Sequence, residues 1–412
     1  MPQTRHPSLD ILRGFAVMGI LLMNIIGFAM PMSAYANPAV WGGASGADFW
    51  AWAIASVLID GKMRGLFSLL FGASMLLVIS RAEANGLDAA SVHFRRMGWL
   101  FLFGLLHFCL IWAGDILALY ALCGAFAFML KDANPKTLLW LGAGLILFNM
   151  LLWGMTALEF HEARFEAQAI SASEAARARY AEIIAALGAP GDPGVRADVM
   201  LQLGRYSEIA AARFVDGSGG LIAQVFAYGP ETVGLMAWGM ALLKSGILTG
   251  QWPARRCLKA ALAAYAIGLP LSAALVWAGA ASGFDPLTMN DIYYVWSVVP
   301  RMAMMIGHLM LLLALIGTTS ASRLARVGAA GRIAFSNYIL TSVLMTTLFY
   351  GYGGGLYGAL SRAQVYLVVP LVWALMLAWS KPWLDRYRYG PLEWVWRSLA
   401  RWKWQPMRVS TD

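Results

Sequence analysis

Charge is scarce in this chain. Asp, Glu, Lys and Arg supply 13% of its 412 residues, against about 25% in a typical soluble domain, which excludes an ordinary solvated globule. Cysteine is scarcer still. Its three cysteines, Cys109, Cys123 and Cys257, lie in or beside apolar segments without C-x-x-C spacing, so no disulfide framework is expected. No H-x-x-x-H or comparable ligand spacing occurs, and no metal site is expected. The hydrophobic stretches do not alternate with polar residues, which argues against a transmembrane barrel. No obvious internal repeat emerges either.

What is abundant is continuous apolar sequence. The chain is 60% hydrophobic, and its runs repeatedly reach the roughly 20 residues a helix needs to cross about 30 Å of hydrocarbon. The fold class that follows is all-α: a polytopic membrane helix bundle of about ten spans. They are expected at 11–31, 65–81, 96–113, 115–130, 137–156, 221–243, 258–281, 295–317, 333–351 and 363–380. The apolar stretch from Asp48 to Ile59 is too short to cross and reads as interfacial or re-entrant. Arg5, His6 and Arg13 give a basic start and Ala34-Tyr35-Ala36 looks like a cleavage site, but the run from Phe15 to Pro31 exceeds a signal core. It is expected to be a retained first span.

The net charge of +9 does not imply nucleic acid, because no basic patch with interleaved aromatics stands on a soluble segment. Lys and Arg gather instead on one set of connections: the N-terminus, the stretch holding Arg81, Arg95 and Arg96, the Lys131/Lys136 turn, the Lys244–Lys259 and Arg323–Arg332 connections, and the tail. By the positive-inside rule these are cytoplasmic, as are both termini. Lys62, Arg64, Arg301 and Arg362 are left on short outside connections. The chain then divides into a membrane half at 1–156, an extracytoplasmic loop of two amphipathic helices at 157–220, a second membrane half at 221–380, and a cytoplasmic interfacial tail at 381–412.

Against this background a few residues ask for an explanation. His107 and Asp115 sit within the membrane-like stretch 98–124, which reads as a helical hairpin turning at Ala113-Gly114. An ionisable group inside a bilayer is costly unless partnered and marks a site by default. His107, about 16 Å along the span from position 96 at about 1.5 Å per residue, suits a general base, with Asp115 orienting it. The structural alternative is that Asp115 caps the second helix while His107 bonds a neighbouring one. His308, alone in a Met/Leu helix, reads as structural, and His6, His93 and His161 as solvated. Asp10 and Arg13 share one helix face at the inner membrane edge, as a local pair or part of an entrance. Lys62 and Arg64, near Asp60 at a glycine-punctuated helix start, could receive an anionic group or simply snorkel. Glu231 follows Pro230 at an expected helix break. Tyr120, in the second arm of the hairpin, and Asn337, opening the ninth span, complete the candidate substrate-binding set.

Several long motifs occur in order: SLDILRGFAVMGILLMNI at 8–25, GKMRGLFSLLFG at 61–72, LLHFCLIWAGDILALYALCG at 105–124, LMAWGMALLKSGILTG at 235–250, GRIAFSNYILTS and FYGYGGGLYG within 331–358, and GPLEWVWRSLA at 390–400. Together they resemble the YeiB-type family of bacterial inner-membrane proteins of unknown function. That family is distantly similar to the transmembrane acyltransferases typified by heparan-α-glucosaminide N-acetyltransferase. The resemblance implies transfer of an acyl group from cytoplasmic acyl-CoA, a co-substrate, to a hydroxyl or amine acceptor at the outer face, with a lipid or glycan as the candidate acceptor. His107 would deprotonate the acceptor, Asp115 would orient it, and Arg13, Arg95 and Arg96 would hold the nucleotide end. A proton-coupled transporter or lipid-handling protein using His107, Asp115 and Glu231, or a non-catalytic scaffold or sensor, are the other readings.

Overall fold

The computed structural model describes residues 6–320 and 322–409. Arg5 and the last three residues of the tail lie outside them. The first half comprises α1 (Pro7–Ala29), α2 (Ser33–Ala36), α3 (Gly46–Leu58), α4 (Lys62–Ala84), α5 (Ala89–Leu110), α6 (Leu117–Ala127), α7 (Pro135–Gln168), α8 (Glu174–Leu187) and α9 (Pro193–Gln202). The second half comprises α10 (Tyr206–Lys244), α11 (Ala254–Ala281), α12 (Pro286–Asp291), α13 (Val298–Thr318), α14 (Ala325–Arg332), α15 (Ala334–Phe349), α16 (Arg362–Tyr366), α17 (Val368–Arg386) and α18 (Pro391–Arg401). No strand occurs among the described residues; an isolated bridge joins Tyr387 to Arg408.

Among the described residues, six helical stretches are long and apolar enough to cross a membrane: Pro7–Ala29, Gly46–Ala84, Pro135–Gln168, Ala254–Ala281, Val298–Thr318 and Arg362–Arg386. The chain is a helical membrane protein. Leu117–Leu130 and Ala334–Phe349 are apolar but shorter. The starts of the helices follow local chemistry. Asp88 accepts from Ala90 N and Ser91 N to cap α5, and Asn134 caps α7 ahead of Pro135 at its first position.

The burial of each helix assigns its place. In α1, 72% of the apolar window is buried, against 17% in α11 and 22% in α7. Thus α1 is central, while α7 and α11 carry large apolar side chains such as Trp140, Phe148 and Trp277 on the outside. Lipid, rather than protein, satisfies those faces.

Glycines set the closest helix contacts. A Cβ on Gly239 of α10 would stand 1.8 Å from the Leu69 carbonyl oxygen of α4, and one on Gly331 of α14 would stand 1.9 Å from the Asp10 carbonyl oxygen of α1. With no hydrophobic drive between helices in lipid, such backbone approach supplies the dispersion contact.

Three features depart from expectation. The stretch 157–220 holds two helices, α8 and α9, as expected, but its bounds differ: α7 continues to Gln168 and α10 begins at Tyr206. This cap docks on one end of the bundle, where Gly351 N donates to the Gln202 carbonyl at 3.0 Å and Val195 and Val199 join a core with Met30, Tyr350 and Tyr357. Secondly, Pro230 does not break its helix. It lies inside α10, and Asn149 and Trp153 of α7 donate to the neighbouring Ala227 carbonyl at 3.2 and 3.1 Å. Side chains from an adjacent helix thereby supply donors where a proline disturbs the ladder. Thirdly, the tail does not simply lie flat. Position 381 falls inside α17, and α18 folds back so that Trp396 Nε1 donates to the Arg96 carbonyl at 2.9 Å.

Gly239→Ala should therefore lower the thermal midpoint of the detergent-purified protein, at a cost of about 1–3 kcal/mol for overpacking. Gly154→Ala, in α7 with nothing within 4 Å of the added Cβ, should be neutral or stabilising by up to about 1 kcal/mol. Equal midpoints for the two variants would mean that the α4–α10 contact is not tight.

Candidate functional site

The two arms of the hairpin, α5 and α6, meet at Gly104, where a Cβ would stand 2.3 Å from Ala118 N. That approach brings the Asp115 carboxylate under His107, Nδ1 to Oδ1 at 2.8 Å, with each side chain 1% exposed. The other Asp115 oxygen accepts from Ala118 N at 2.8 Å. Asp115 is thus both a cap for α6 and the histidine's partner, and His107 bonds within its own hairpin rather than to a neighbouring helix. An ionised carboxylate only accepts, so Nδ1 carries the proton and Nε2 keeps the lone pair. Nε2 is buried and has no hydrogen-bond partner. It is the orphan that a reacting proton would fill. The ring packs against Tyr338, centroids 5.1 Å apart, and against Trp112 at 6.4 Å.

Beside this pair runs a cavity of about 620 Å³, within the size range of small-molecule sites. At one end its wall carries Arg13, Arg81, Arg96, Arg332, Arg388 and Arg397, with Asp10 and Glu393 as the acidic residues. The middle is apolar and aromatic, formed by Phe67, Phe71 and Leu100 with Tyr120. Deeper, Ile116 and Tyr338 line it, the first following Asp115 in sequence and the second tilted against the His107 ring. His107 itself is not among the lining residues. Tyr338 also borders a water-sized void of about 10 Å³ with Asn24, Thr341 and Ser342.

The tail builds the basic end. Glu393 of α18 accepts from Phe335 N at 2.8 Å and Ser336 N at 3.2 Å, and from the Ser336 hydroxyl at 2.5 Å, so it caps α15 across 57 residues of sequence. Burial raises its carboxyl above the usual carboxylate range, and the Ser336 and Phe335 hydrogen bonds act the other way. Arg96 lies over the Trp396 ring, 4.1 Å from its centroid.

The other expected site residues do not share one place. Asp10, Arg13, Arg96 and Tyr120 line the cavity; Arg13 pairs with Asp10 at 3.1 Å and donates to Ser74 Oγ at 3.2 Å. Arg95 does not line it, but donates to the Ser91 carbonyl at 3.0 Å. Adjacent helical residues point about 100° apart, so Arg95 and Arg96 diverge. Asn337 is fully buried and satisfied by Ala330, Ser380 and Trp379, a structural role. Lys62, Arg64 and Glu231 stand elsewhere, around a buried knot in which Arg64 Nη2 and Arg301 Nη2 each reach a Glu231 oxygen at 2.5 Å. Tyr120 ties the regions together, its hydroxyl 2.7 Å from Ser68 Oγ and 3.3 Å from the Arg64 carbonyl.

The remaining histidines sort by partners. His308 has both ring nitrogens engaged, with the Tyr265 hydroxyl at 2.7 Å and the Leu58 carbonyl at 2.8 Å, so it is structural. His93 is not solvated: it is 1% exposed, and its Nε2 bonds the Gly124 carbonyl at 3.0 Å. Its apolar surroundings include the stacked Phe128 ring, which follows α6, and the adjacent Phe94 ring edge-on. His161 pairs with Asp291 at 2.6 Å. No cluster of three or more His, Cys, Asp or Glu suited to a metal occurs among the described residues. Sequence reasoning missed Tyr338 and the tail arginines. It also left Arg301 among the outside cations, although its partner Glu231 lies 70 positions away.

Comparison with known proteins finds relatives whose function is uncharacterised. A family described as a protein of unknown function (DUF418) matches residues 242–403. The chain is 30% identical over 409 residues to the uncharacterized protein YeiB of Escherichia coli strain K12, covering 96% of each chain. It is also 30% identical over 427 residues to the uncharacterized protein YxaH of Bacillus subtilis strain 168, covering 98% of this chain and 96% of that one. No solved structure matches.

Glu231→Gln should destabilise the protein by about 3–5 kcal/mol, because it leaves two buried guanidinium groups without a countercharge. Lys381→Gln, which breaks an exposed pair with Asp385, should cost about 1 kcal/mol or less. Thermal unfolding of both variants in the same detergent measures the difference; a Glu231→Gln protein as stable as the wild type would show that the arginines find other acceptors.

Proposed function

This chain belongs to the YeiB-type family of bacterial proteins of unknown function, and from that premise we propose that it is an integral-membrane acyltransferase using cytoplasmic acyl-CoA. The observation that carries this reading is the cavity, basic at one end and apolar inward, leading to the residues that cover His107. Arginines suit the phosphates of a nucleotide, and the Phe67, Phe71 and Leu100 walls suit the acyl chain. Ten of the helices cross the bilayer, at the positions read from the sequence, in an inner membrane with both termini cytoplasmic. The basic end then faces the cytoplasm, and the cap of α8 and α9 faces outward.

In the reaction, His107 Nε2 takes the proton of an acceptor hydroxyl or amine as its oxygen or nitrogen bonds to the thioester carbonyl carbon. Collapse breaks the carbon–sulfur bond, and the imidazolium returns the proton to the leaving thiolate. Asp115 holds Nδ1–H throughout and stabilises the imidazolium. His107 lies about 27 Å from the start of α5 at about 1.5 Å per residue, near the outward end, where the acceptor arrives. A turn of the Tyr338 ring opens Nε2 to the cavity.

His107→Ala should lower acyl-CoA turnover by about 10²- to 10⁴-fold while the protein stays folded, at a stability cost of about 1–3 kcal/mol. Asp115→Asn should act in the same direction but less, and His308→Ala should be nearly silent. Full activity in His107→Ala with loss in His308→Ala would identify the wrong histidine; activity in both would remove acid–base acyl transfer. The orientation has its own test. With Cys109, Cys123 and Cys257 replaced, a cysteine at position 171 should react with an impermeant maleimide in intact spheroplasts and one at 403 should not. The opposite pattern would invert the protein.

A further inference from the structure

The acyl-transfer site leaves a second polar pocket unused. It lies at the opposite end of α4 from Arg81, enclosing about 60 Å³ between α3, the start of α4, α11 and α13. Three charged residues line it, Asp60, Lys62 and Arg301, and the aromatic wall is Tyr35, Trp52 and Tyr293.

These three charges lie within electrostatic reach of one another, but none hydrogen-bonds to another. Asp60 accepts from the Tyr35 hydroxyl at 3.3 Å, and Lys62 donates to the Ser56 carbonyl. Arg301, 93% buried, gives Nη2 to Glu231 at 2.5 Å and directs Nη1 to Ser297 Oγ at 3.5 Å, while its Nε has no partner. No ion pair joins Asp60 to Lys62 or Arg301 among the described residues. The arrangement is built in. Gly61 sits at φ +71°, and a Cβ there would lie 2.1 Å from Arg301 Cδ, so the arginine passes over bare backbone.

A bare anion would meet the Asp60 carboxylate, and a bare cation would meet Lys62 and Arg301. A group carrying both charges satisfies the whole wall. With Nη2 of Arg301 given to Glu231 and Nη1 turned to Ser297, what remains is a single Nε–H and the point charge of Lys62. Separate donors of this kind suit a tetrahedral phosphate better than a planar carboxylate. Asp60 with three aromatic rings suits an ammonium. We infer that this pocket binds a phosphate-plus-ammonium group of the phosphoethanolamine type. The group comes from a lipid headgroup or from a soluble ester, and the inference stands independently of acyl transfer.

The test uses the full chain. Calorimetry in detergent compares O-phosphoethanolamine with inorganic phosphate and with ethanolamine, and native mass spectrometry from mixed nanodiscs compares retained phosphatidylethanolamine with phosphatidylglycerol. Phosphoethanolamine should bind at least about tenfold more tightly than either half, and Lys62→Gln and Asp60→Asn should each weaken it about ten- to hundredfold, the loss of one charged hydrogen bond, with unchanged thermal midpoints. Arg301 is left intact so that Glu231 keeps both partners. Retention of phosphatidylethanolamine that both variants abolish identifies the lipid as the source; binding of the soluble ester alone identifies the soluble one. Equal affinity for inorganic phosphate, binding that survives both substitutions, or no binding of either probe by the wild type would overturn the inference. If a variant loses its thermal midpoint, the wild-type preference over phosphate and ethanolamine still decides the matter.

Discussion

A carboxylate held between two guanidinium groups, far from water, ties this bundle together. Glu231 of α10 receives Arg64 of α4 and Arg301 of α13, and all three side chains are buried. None of these charges could be left alone in an apolar interior, so the three helices are bound to one arrangement. A large core forms along the same helices, with Leu66, Leu69 and Leu70 of α4 against Leu235 of α10 and Met302 and Met305 of α13. Hydrophobic packing would tolerate some sliding of these helices, but a bidentate ionic knot would not.

From that knot the polar groups continue in two directions. Through Ser68 and Tyr120 they reach the large cavity; through Arg301 they reach the small pocket beside Lys62 and Asp60. The two spaces lie toward opposite ends of α4, separated by its packed middle. The His107–Asp115 pair stands apart from the knot on its own hairpin, held by the Gly104 approach and covered by Tyr338. The hairpin pair therefore has its own anchor, whereas the knot shares Arg301 with the small pocket and is joined to the cavity through Tyr120.

The tail is the least conventional element. A basic, Trp-rich amphipathic helix would ordinarily lie along a membrane surface, yet α18 gives its glutamate to the start of α15 and its tryptophan to the backbone and side chain of Arg96. It thereby encloses the arginine-lined end of the cavity and contributes Arg397 to it.

Long apolar runs, few charges and no alternation determined from sequence alone that the chain is a helical membrane protein, because hydrocarbon admits few other solutions for backbone polar groups. His107 and Asp115 were legible for the same reason: a titratable residue in such a run stands out, and a short hairpin brings the two together. Lys62, Arg64 and Glu231 were visible as costly charges, but their mutual pairing was not, since Arg64 and Glu231 are 167 positions apart and Arg301 belongs to a third helix. Tertiary structure alone decided that Arg95 turns away while Arg96 faces the cavity, that Asn337 is a fully bonded core residue, that Pro230 stays within a continuous helix, and that the tail closes over the arginines. These outcomes depend on which helix face meets which neighbour. Periodicity within one helix describes a face; only the packing of the others chooses what it touches.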